Sequence, residues 1–140
     1  MSEEHWTWSC DRSIANDPRA GRGIVEEVLG QLKAHRWRPH EIFGVHLALE
    51  EALANAMTHG NHCDPCKQVH VRCRLSPRLV RIEIADEGEG FNHCRVPDPT
   101  EPDRLEFPSG RGLMLMRAFM NRVEYNDRGN RVVLEKRRDD

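Results

Sequence analysis

The stretch of residues 39–59 constrains the fold most, because it is apolar on nearly every side of a helix. Pro39 suits the first turn of a helix, and Gly60 suits the position just after its end. Large apolar residues recur between them at helical spacing: Ile42, Val45, Leu49, Leu53 and Met57. A helix with this pattern has to be covered by other parts of the protein. We therefore expect residues 39–59 to form a buried helix.

The segments on either side of this helix predict an α+β fold. An Asn16-Asp17-Pro18 sequence starts an earlier helix that ends before Pro39, and a third helix starts after Gly112. Five strands are predicted, at 6–10, 69–75, 79–85, 122–125 and 131–135. This order predicts a two-layer α/β sandwich, with three helices on one face of a mixed, mainly antiparallel sheet.

The length fits a single domain over residues 1–140, and the charge limits the kinds of partner that we expect. The 21 Lys and Arg residues against 23 Asp and Glu residues give a net charge of -2, which does not favour nucleic acid or an anionic membrane. No apolar run approaches the roughly 20 residues that span a bilayer. The N-terminus is acidic and does not resemble a signal peptide. We expect a cytoplasmic protein with reduced cysteines.

Residues 92–109 are rich in proline and have no clear periodicity. A stretch of this length without regular structure is unusual inside a compact domain and is often functional. We expect it to form a lid over a binding site.

The buried helix carries one carboxylate and one carboxamide on a shared face. Glu51 and Asn55 are four residues apart, so their side chains are neighbours on an α-helix. Asn55 could offer its carbonyl oxygen to a hard cation such as Mg²⁺, and Glu51 could orient or deprotonate a nucleophile. A solvated polar stripe is the alternative. Glu50 points about 100° away around the helix and is the weaker candidate.

The end of the strand at 79–85 carries a second polar segment. Asp86 follows the apolar strand, and Gly88 and Gly90 come directly after it. Alternating glycines let a ligand approach the backbone closely. The carboxylate could accept a hydrogen bond from an exocyclic amine of the ligand. An ordinary turn would explain the same residues.

The start of the last helix carries a third segment. Gly110, Arg111 and Gly112 lie at a helix N-terminus, where free N–H groups and a guanidinium favour phosphate. Taken alone, these glycines could simply form a turn.

Together the three segments resemble the N, G1 and G2 boxes of the GHKL ATPases, and most closely the anti-sigma-factor serine kinases of the RsbW and SpoIIAB type. The matching residues are Glu51-Ala52-Leu53-Ala54-Asn55-Ala56 with His59-Gly60, Asp86-Glu87-Gly88-Glu89-Gly90-Phe91, Asp98-Pro99-Thr100 and Gly110-Arg111-Gly112-Leu113-Met114-Leu115-Met116. The resemblance implies the Bergerat ATP-binding fold over nearly the whole chain.

The resemblance also implies a role for each matching residue. Asn55 would ligate Mg²⁺, Glu51 would be the catalytic base for a serine hydroxyl, and Asp86 would bind the adenine amino group. The residues implied in nucleotide binding are Asn55, His59, Asp86, Gly88, Gly90, Phe91, Gly110, Arg111, Gly112 and Leu113.

The implied function is that of an ATP-dependent protein serine kinase. Its partners would be a STAS-domain anti-anti-sigma protein, phosphorylated on serine, and a sigma factor that the kinase sequesters. Members of this family commonly form homodimers. The alternative is an ATP-gated protein-binding module with little or no kinase activity, although an intact Glu51 favours the kinase.

One further motif stays open. Cys63 and Cys66 form a C-x-x-C sequence with His59 and His62 close by. A zinc site would need four ligands, and no second pair lies at the ordinary spacing. A thiol switch is the other interpretation.

Overall fold

The structure, a computed structural model, describes residues 5–88 and 110–139. Within these ranges it contains three α-helices and five strands. In chain order they are β1 (Trp8–Ala15), α1 (Pro18–Ala34), α2 (Pro39–Ala54), β2 (Gln68–Leu75), β3 (Leu79–Asp86), α3 (Gly110–Phe119), β4 (Arg122–Tyr125) and β5 (Arg131–Arg137). A π-helical segment, Asn55–Gly60, follows α2 directly. None of the helices in the described ranges has the length and apolar character needed to cross a membrane.

The five strands form one sheet in the order β1-β2-β3-β5-β4. Each neighbouring pair in this described sheet is antiparallel, so the parallel component expected from the sequence is not seen there. The reason is that β4 and β5 form a hairpin, and the hairpin meets β3 through its second strand. The predicted α+β sandwich is confirmed, with an antiparallel sheet.

The core lies between this sheet and the helices. Alternate residues of the central strands face the helices and are buried, as period-2 strand geometry requires. On α1 and α2 the buried residues recur at helical spacing. The most deeply buried apolar side chains are Val28, Leu32, Val45, Leu49, Val69, Val71, Leu75, Ile82, Ile84, Met116 and Leu134.

The opposite face of the sheet carries ion pairs. Arg72 bonds Asp11 on β1 at 3.0 Å, and Arg81 reaches Glu135 on β5 at 3.6 Å. Arg122 on β4 also pairs with Glu135, at 3.5 Å. This face is polar, so the helices cover only one side of the sheet, as predicted.

Two element boundaries differ from the sequence-based expectation for identifiable reasons. Strand β1 extends to Ala15 because its antiparallel pairing with β2 continues past Arg12, which interrupts the apolar alternation, as far as Ala15 opposite Gln68. Helix α3 begins at Gly110 and not after Gly112, so the glycines form its first turn. The predicted lid at 92–109 lies outside the described residues.

A buried carboxylate joins the start of α2 to the end of the described chain. Glu41 is fully buried. Its Oε1 accepts the backbone N–H of Arg38 at 2.9 Å, and its Oε2 accepts that of Asp139 at 2.6 Å. Both oxygens of the carboxylate are therefore satisfied by backbone donors, which is how a buried charge is tolerated.

Candidate functional site

The central helix changes its winding at the residue predicted to bind the metal. From Asn55 to Gly60 the helix is π-helical, and the backbone N–H of Asn61 bonds the carbonyl of Ala56 at 2.8 Å. The predicted helix to about His59 is confirmed in its extent, but its last turn is π-helical and not α-helical. A π turn holds more residues than an α turn, so residues after Ala54 leave the α-helical wheel. Such turns are frequent at functional sites.

The neighbouring glutamates Glu50 and Glu51 lie in different surroundings. Glu51 is half-buried and lies where α2 meets α3, since a Cβ at Gly112 would overlap its carboxylate. Glu50 is exposed and pairs with His46 one turn earlier on α2. Glu50 lines a groove of about 500 Å³ between α1 and α2, away from α3. Of the two glutamates, Glu51 is therefore the one beside the first turn of α3.

Asn55 lines a narrow cleft between the π-helical segment and the sheet. Its side chain is only 6 % exposed. The residues lining the cleft are Ala52, Asn55, Ala56, Gly60, Ile84, Asp86, Tyr125, Asn130, Arg131 and Val132. The cleft brings two of the predicted site residues, Asn55 and Asp86, to one place.

Tyr125 is a cleft residue that the sequence reasoning missed. Burial raises its pKa to about 12, and a hydrogen bond with the Asn55 side chain acts in the opposite direction. The negative charges of Glu51 and Asp86 also raise the pKa of Tyr125. Both carboxylates are therefore close enough to the Tyr125 hydroxyl for their fields to reach it. A lone tyrosine ending a short strand gives no sequence signal for such a role.

Asp86 is the last residue of β3, and its side chain is partly shielded from solvent. Its Oδ1 accepts the backbone N–H of Gly88 at 2.9 Å, and its own N–H bonds the carbonyl of Asn130 at 2.9 Å. Burial raises the pKa of Asp86, while the Gly88 N–H and the charges of Lys67 and His62 lower it. A desolvated carboxylate gains most from a ligand that donates a hydrogen bond to it.

Two glycines allow the π-helical segment to approach the end of β3. A Cβ on Gly60 would overlap the Asp86 carboxylate, and a Cβ on Gly88 would overlap the carbonyl oxygen of Gly60. The sequence indicated Gly60 as a helix cap and as part of the first matching segment, without showing this contact. Its larger role is to let two backbones meet beside Asp86.

Asn61 stabilises this contact between the π-helical segment and the end of β3. The sequence reasoning did not single it out. It is fully buried. Its amide donates to Asn16 Oδ1 at 3.2 Å and to the Gln68 carbonyl at 2.9 Å, while its oxygen accepts the Glu87 N–H at 2.8 Å. The side chain therefore ties the segment after Gly60 to the residue after Asp86.

The remaining predicted residues fall into three groups. Gly112 is buried against Glu51, and Leu113 packs against the core, while His59 is half-buried in the π-helical segment. Gly110 and Arg111 are described only as the first backbone positions of α3. Gly90 and Phe91 lie outside the described residues.

The C-x-x-C motif does not assemble a metal site in the described residues. Cys63 and Cys66 are exposed free thiols. Within the described ranges, three ligand-type side chains converge at His40, Glu41 and Asp139, not around the C-x-x-C motif. At that group the oxygens of Glu41 already accept backbone N–H groups. The zinc interpretation therefore gains no support.

Comparison with known proteins identifies relatives. Residues 14–136 match the family described as the histidine kinase-like ATPase domain. The anti-sigma F factor of Clostridium perfringens is 30% identical over 103 residues, covering 69% of this chain and 73% of that protein. The anti-sigma F factor of Oceanobacillus iheyensis is 31% identical over 115 residues, covering 80% and 76%. The serine/threonine-protein kinase BtrW of Bordetella bronchiseptica is 32% identical over 95 residues, covering 66% and 67%.

A solved structure shares the fold. The crystal structure of the RsbU and RsbW domains of Rv1364c from Mycobacterium tuberculosis superposes with a TM-score of 0.61 at 15% identity. The match covers 94% of this chain and 32% of that longer chain. At this identity the likeness shows the architecture alone.

Proposed function

Because the chain belongs to the histidine kinase-like ATPase domain family, we propose that it binds ATP with Mg²⁺ and phosphorylates a serine of a partner protein. The observation that carries the proposal is the meeting of three polar groups at one end of the fold. Asn55 and Asp86 line one cleft, and the charges of Glu51 and Asp86 both act on Tyr125 in that cleft.

Asp86 is proposed to recognise the adenine. Its carboxylate is partly desolvated, and the N–H of Gly88 donates to its Oδ1. The orientation of the carboxylate is therefore fixed by the protein. An exocyclic amine of the base would supply the hydrogen bond that burial makes favourable. Gly60 and Gly88 keep side chains away from this carboxylate. Gly90 and Phe91 are proposed as further nucleotide-binding residues.

Asn55 is proposed to hold Mg²⁺. The residues present fit this ion, since a carboxamide oxygen is a hard ligand and Glu51 lies one turn away on the same helix. When bound, Mg²⁺ would neutralise charge on the phosphates.

Glu51 is proposed as the catalytic base. Its carboxylate lies against the first turn of α3, and a helix N-terminus is a favourable place for phosphate oxygens. From there it could accept the proton of a serine hydroxyl as that oxygen attacks the γ-phosphorus. We propose that Gly110, Arg111, Gly112 and Leu113 contact the phosphates, and that His59 supports the nucleotide from the π-helical segment.

The partners are proposed from the relatives. Two relatives are named anti-sigma F factor and a third is named a serine/threonine-protein kinase. We propose a STAS-type anti-anti-sigma protein as the phosphorylated partner, a sigma factor as the sequestered partner, a homodimer as the working form and the cytoplasm as the location.

The test is a phosphotransfer assay with the full chain. Purified protein is incubated with γ-labelled ATP, Mg²⁺ and each STAS-domain protein of its own genome. We expect label on a serine of one candidate, and none when Glu51→Gln protein or EDTA is used. Tight ATP binding without transfer to any candidate would contradict the kinase and leave an ATP-gated binding module.

A further inference from the structure

Two cysteines face each other across the first pair of strands. Cys10 on β1 and Cys73 on β2 are direct partners in the antiparallel register. Directly opposite residues in such a pair have Cα atoms about 4.5–5.5 Å apart, within the span of about 4.4–6.8 Å that a disulfide bridges. Their side chains point to the same face, and the two thiols are hydrogen-bonded to each other.

The two thiols differ in access to solvent. Cys10 is half-buried at the end of the described sheet, where β1 pairs only with β2. Cys73 is fully buried behind it. An attacking reagent therefore meets Cys10 first, and Cys73 lies behind it as its cross-strand, hydrogen-bonded neighbour.

The surroundings favour a thiolate on the accessible sulfur. The hydrogen bond from Cys73 lowers the pKa of Cys10 to about 7 and Arg12 assists, while burial and the charge of Glu27 oppose the shift. The same pairing and burial raise the pKa of Cys73. Of the two sulfurs, the more accessible Cys10 is therefore also the one that ionises more readily, as in a reactive cysteine with a resolving partner.

We propose that Cys10 and Cys73 are a hydroperoxide-reactive pair that oxidises to a disulfide joining β1 to β2. The Cys10 sulfur attacks one oxygen of hydrogen peroxide, the O–O bond breaks, and hydroxide leaves to become water. Cys10 is then a sulfenic acid. The Cys73 sulfur attacks it, the S–O bond breaks, and the oxygen leaves as water with the Cys73 proton. Two thiols lose two electrons, and one peroxide becomes two waters.

The Cys10–Cys73 disulfide would link β1 covalently to β2, its one neighbour in the described sheet. β1 is also held to α1 through Arg12 and Glu27, so the disulfide would fix that contact too. The closed loop would contain α1, α2 and the π-helical segment. Closing a loop of this length restricts the unfolded chain, so oxidation should raise the midpoint of denaturation.

The test uses a chain in which Cys63, Cys66 and Cys94 are replaced by serine, leaving only the pair. After hydrogen peroxide treatment under native conditions, we expect an intact mass lower by two hydrogens and a linked peptide containing Cys10 and Cys73. Adding Cys10→Ser should abolish the reaction. Adding Cys73→Ser should stop it at a sulfenic acid that dimedone traps on Cys10.

A second measurement covers loss of folding in the variants. Peptide mapping of the full native chain after peroxide treatment should show the Cys10–Cys73 link, reversed by dithiothreitol. A link confined to Cys63 and Cys66, a link only between molecules, or no oxidation of Cys10 would overturn the proposal. None of these readouts uses ATP, so the outcome is independent of the kinase proposal.

Discussion

The carboxylate of Glu51 on α2 lies directly against the backbone of Gly112 in the first turn of α3. The contact joins the proposed base to the proposed phosphate-binding helix end. About two turns earlier on α2, a Cβ at Gly44 would lie 3.1 Å from the Cβ of Phe119 on α3. One glycine on each helix therefore allows the close packing of α2 and α3.

Gly112→Ala should weaken this junction. The new methyl group would overlap the Glu51 carboxylate, which is the end of a flexible side chain and has to move aside. We expect phosphotransfer to fall clearly, because the proposed base is displaced, while the free energy of unfolding in urea changes little. Gly23→Ala on α1 is the matched control, since a Cβ there meets nothing within 4 Å. It should stabilise the chain by roughly 0.5–1 kcal/mol. Equal effects at both positions would show that the Glu51 contact is unimportant.

Glu51→Gln should separate binding from transfer. The amide keeps the shape but cannot accept the serine proton, so phosphotransfer should fall roughly 10²–10⁴-fold while ATP affinity is retained. Glu50→Gln is the control, because Glu50 pairs with His46 on another side of α2. Rates are measured with labelled ATP and the phosphorylated partner. A Glu51→Gln protein as active as the wild type would remove Glu51 from the role.

Asp86→Asn should weaken nucleotide binding yet stabilise the empty protein. Loss of a charged acceptor should lower ATP affinity roughly 10- to 100-fold and relax the preference for ATP over GTP, both measured by calorimetry. Undiminished preference would refute the adenine assignment.

The pH dependence of stability tests the same residue. Burial raises the pKa of Asp86 in the folded state, so the folded chain binds more protons than the unfolded chain between the two pKa values. The contribution of Asp86 to stability therefore falls as pH rises through that window. Without nucleotide, Asp86→Asn should be the more stable protein at neutral pH. Thermal denaturation should show the difference shrinking below about pH 4, where the unfolded carboxyl is also protonated. An advantage that is unchanged by pH would point to another cause.

Glu41→Ala should destabilise the fold strongly. It removes the acceptor for the N–H groups of Arg38 and Asp139, which should cost about 2–4 kcal/mol in urea unfolding. Glu41→Gln keeps one acceptor oxygen and should lose less. Replacing exposed Glu26 on α1 by alanine should change stability by less than about 0.5 kcal/mol. Similar losses for Glu41 and Glu26 would mean that the buried bonds contribute little.

The sequence was informative where periodicity and burial agree. The runs around Val71, Ile82 and Leu134 alternate cleanly because one sheet face is apolar and the other ion-paired, and all three strands were predicted. Arg12 shows the limit. It lies on the helix-facing side of β1, but its side chain is about half exposed and pairs with Glu27 on α1, and neither fact can be read from the alternation of the strand.

For the candidate site, the sequence indicated residues but not their geometry. Glu51, Asn55 and Asp86 were singled out from residue type and order, and their roles stay predictions. The π-helical turn was not expected, because nothing in the residue pattern marks the change in winding after Ala54. Tyr125 and Asn61 were missed for a related reason, since their roles come from partners distant in sequence.

The strand order has a consequence for the assembly of the cleft. The β2–β3 and β4–β5 hairpins are closed by short turns and can form locally, whereas pairing of β3 with β5 must bring together residues far apart in sequence. Asp86 belongs to one hairpin and Tyr125 to the other. The cleft that contains Asp86 and Tyr125 therefore forms only when β3 pairs with β5, which is the slow, long-range step. Nucleotide added during refolding should leave the early phases unchanged and act only on chains that have completed that step.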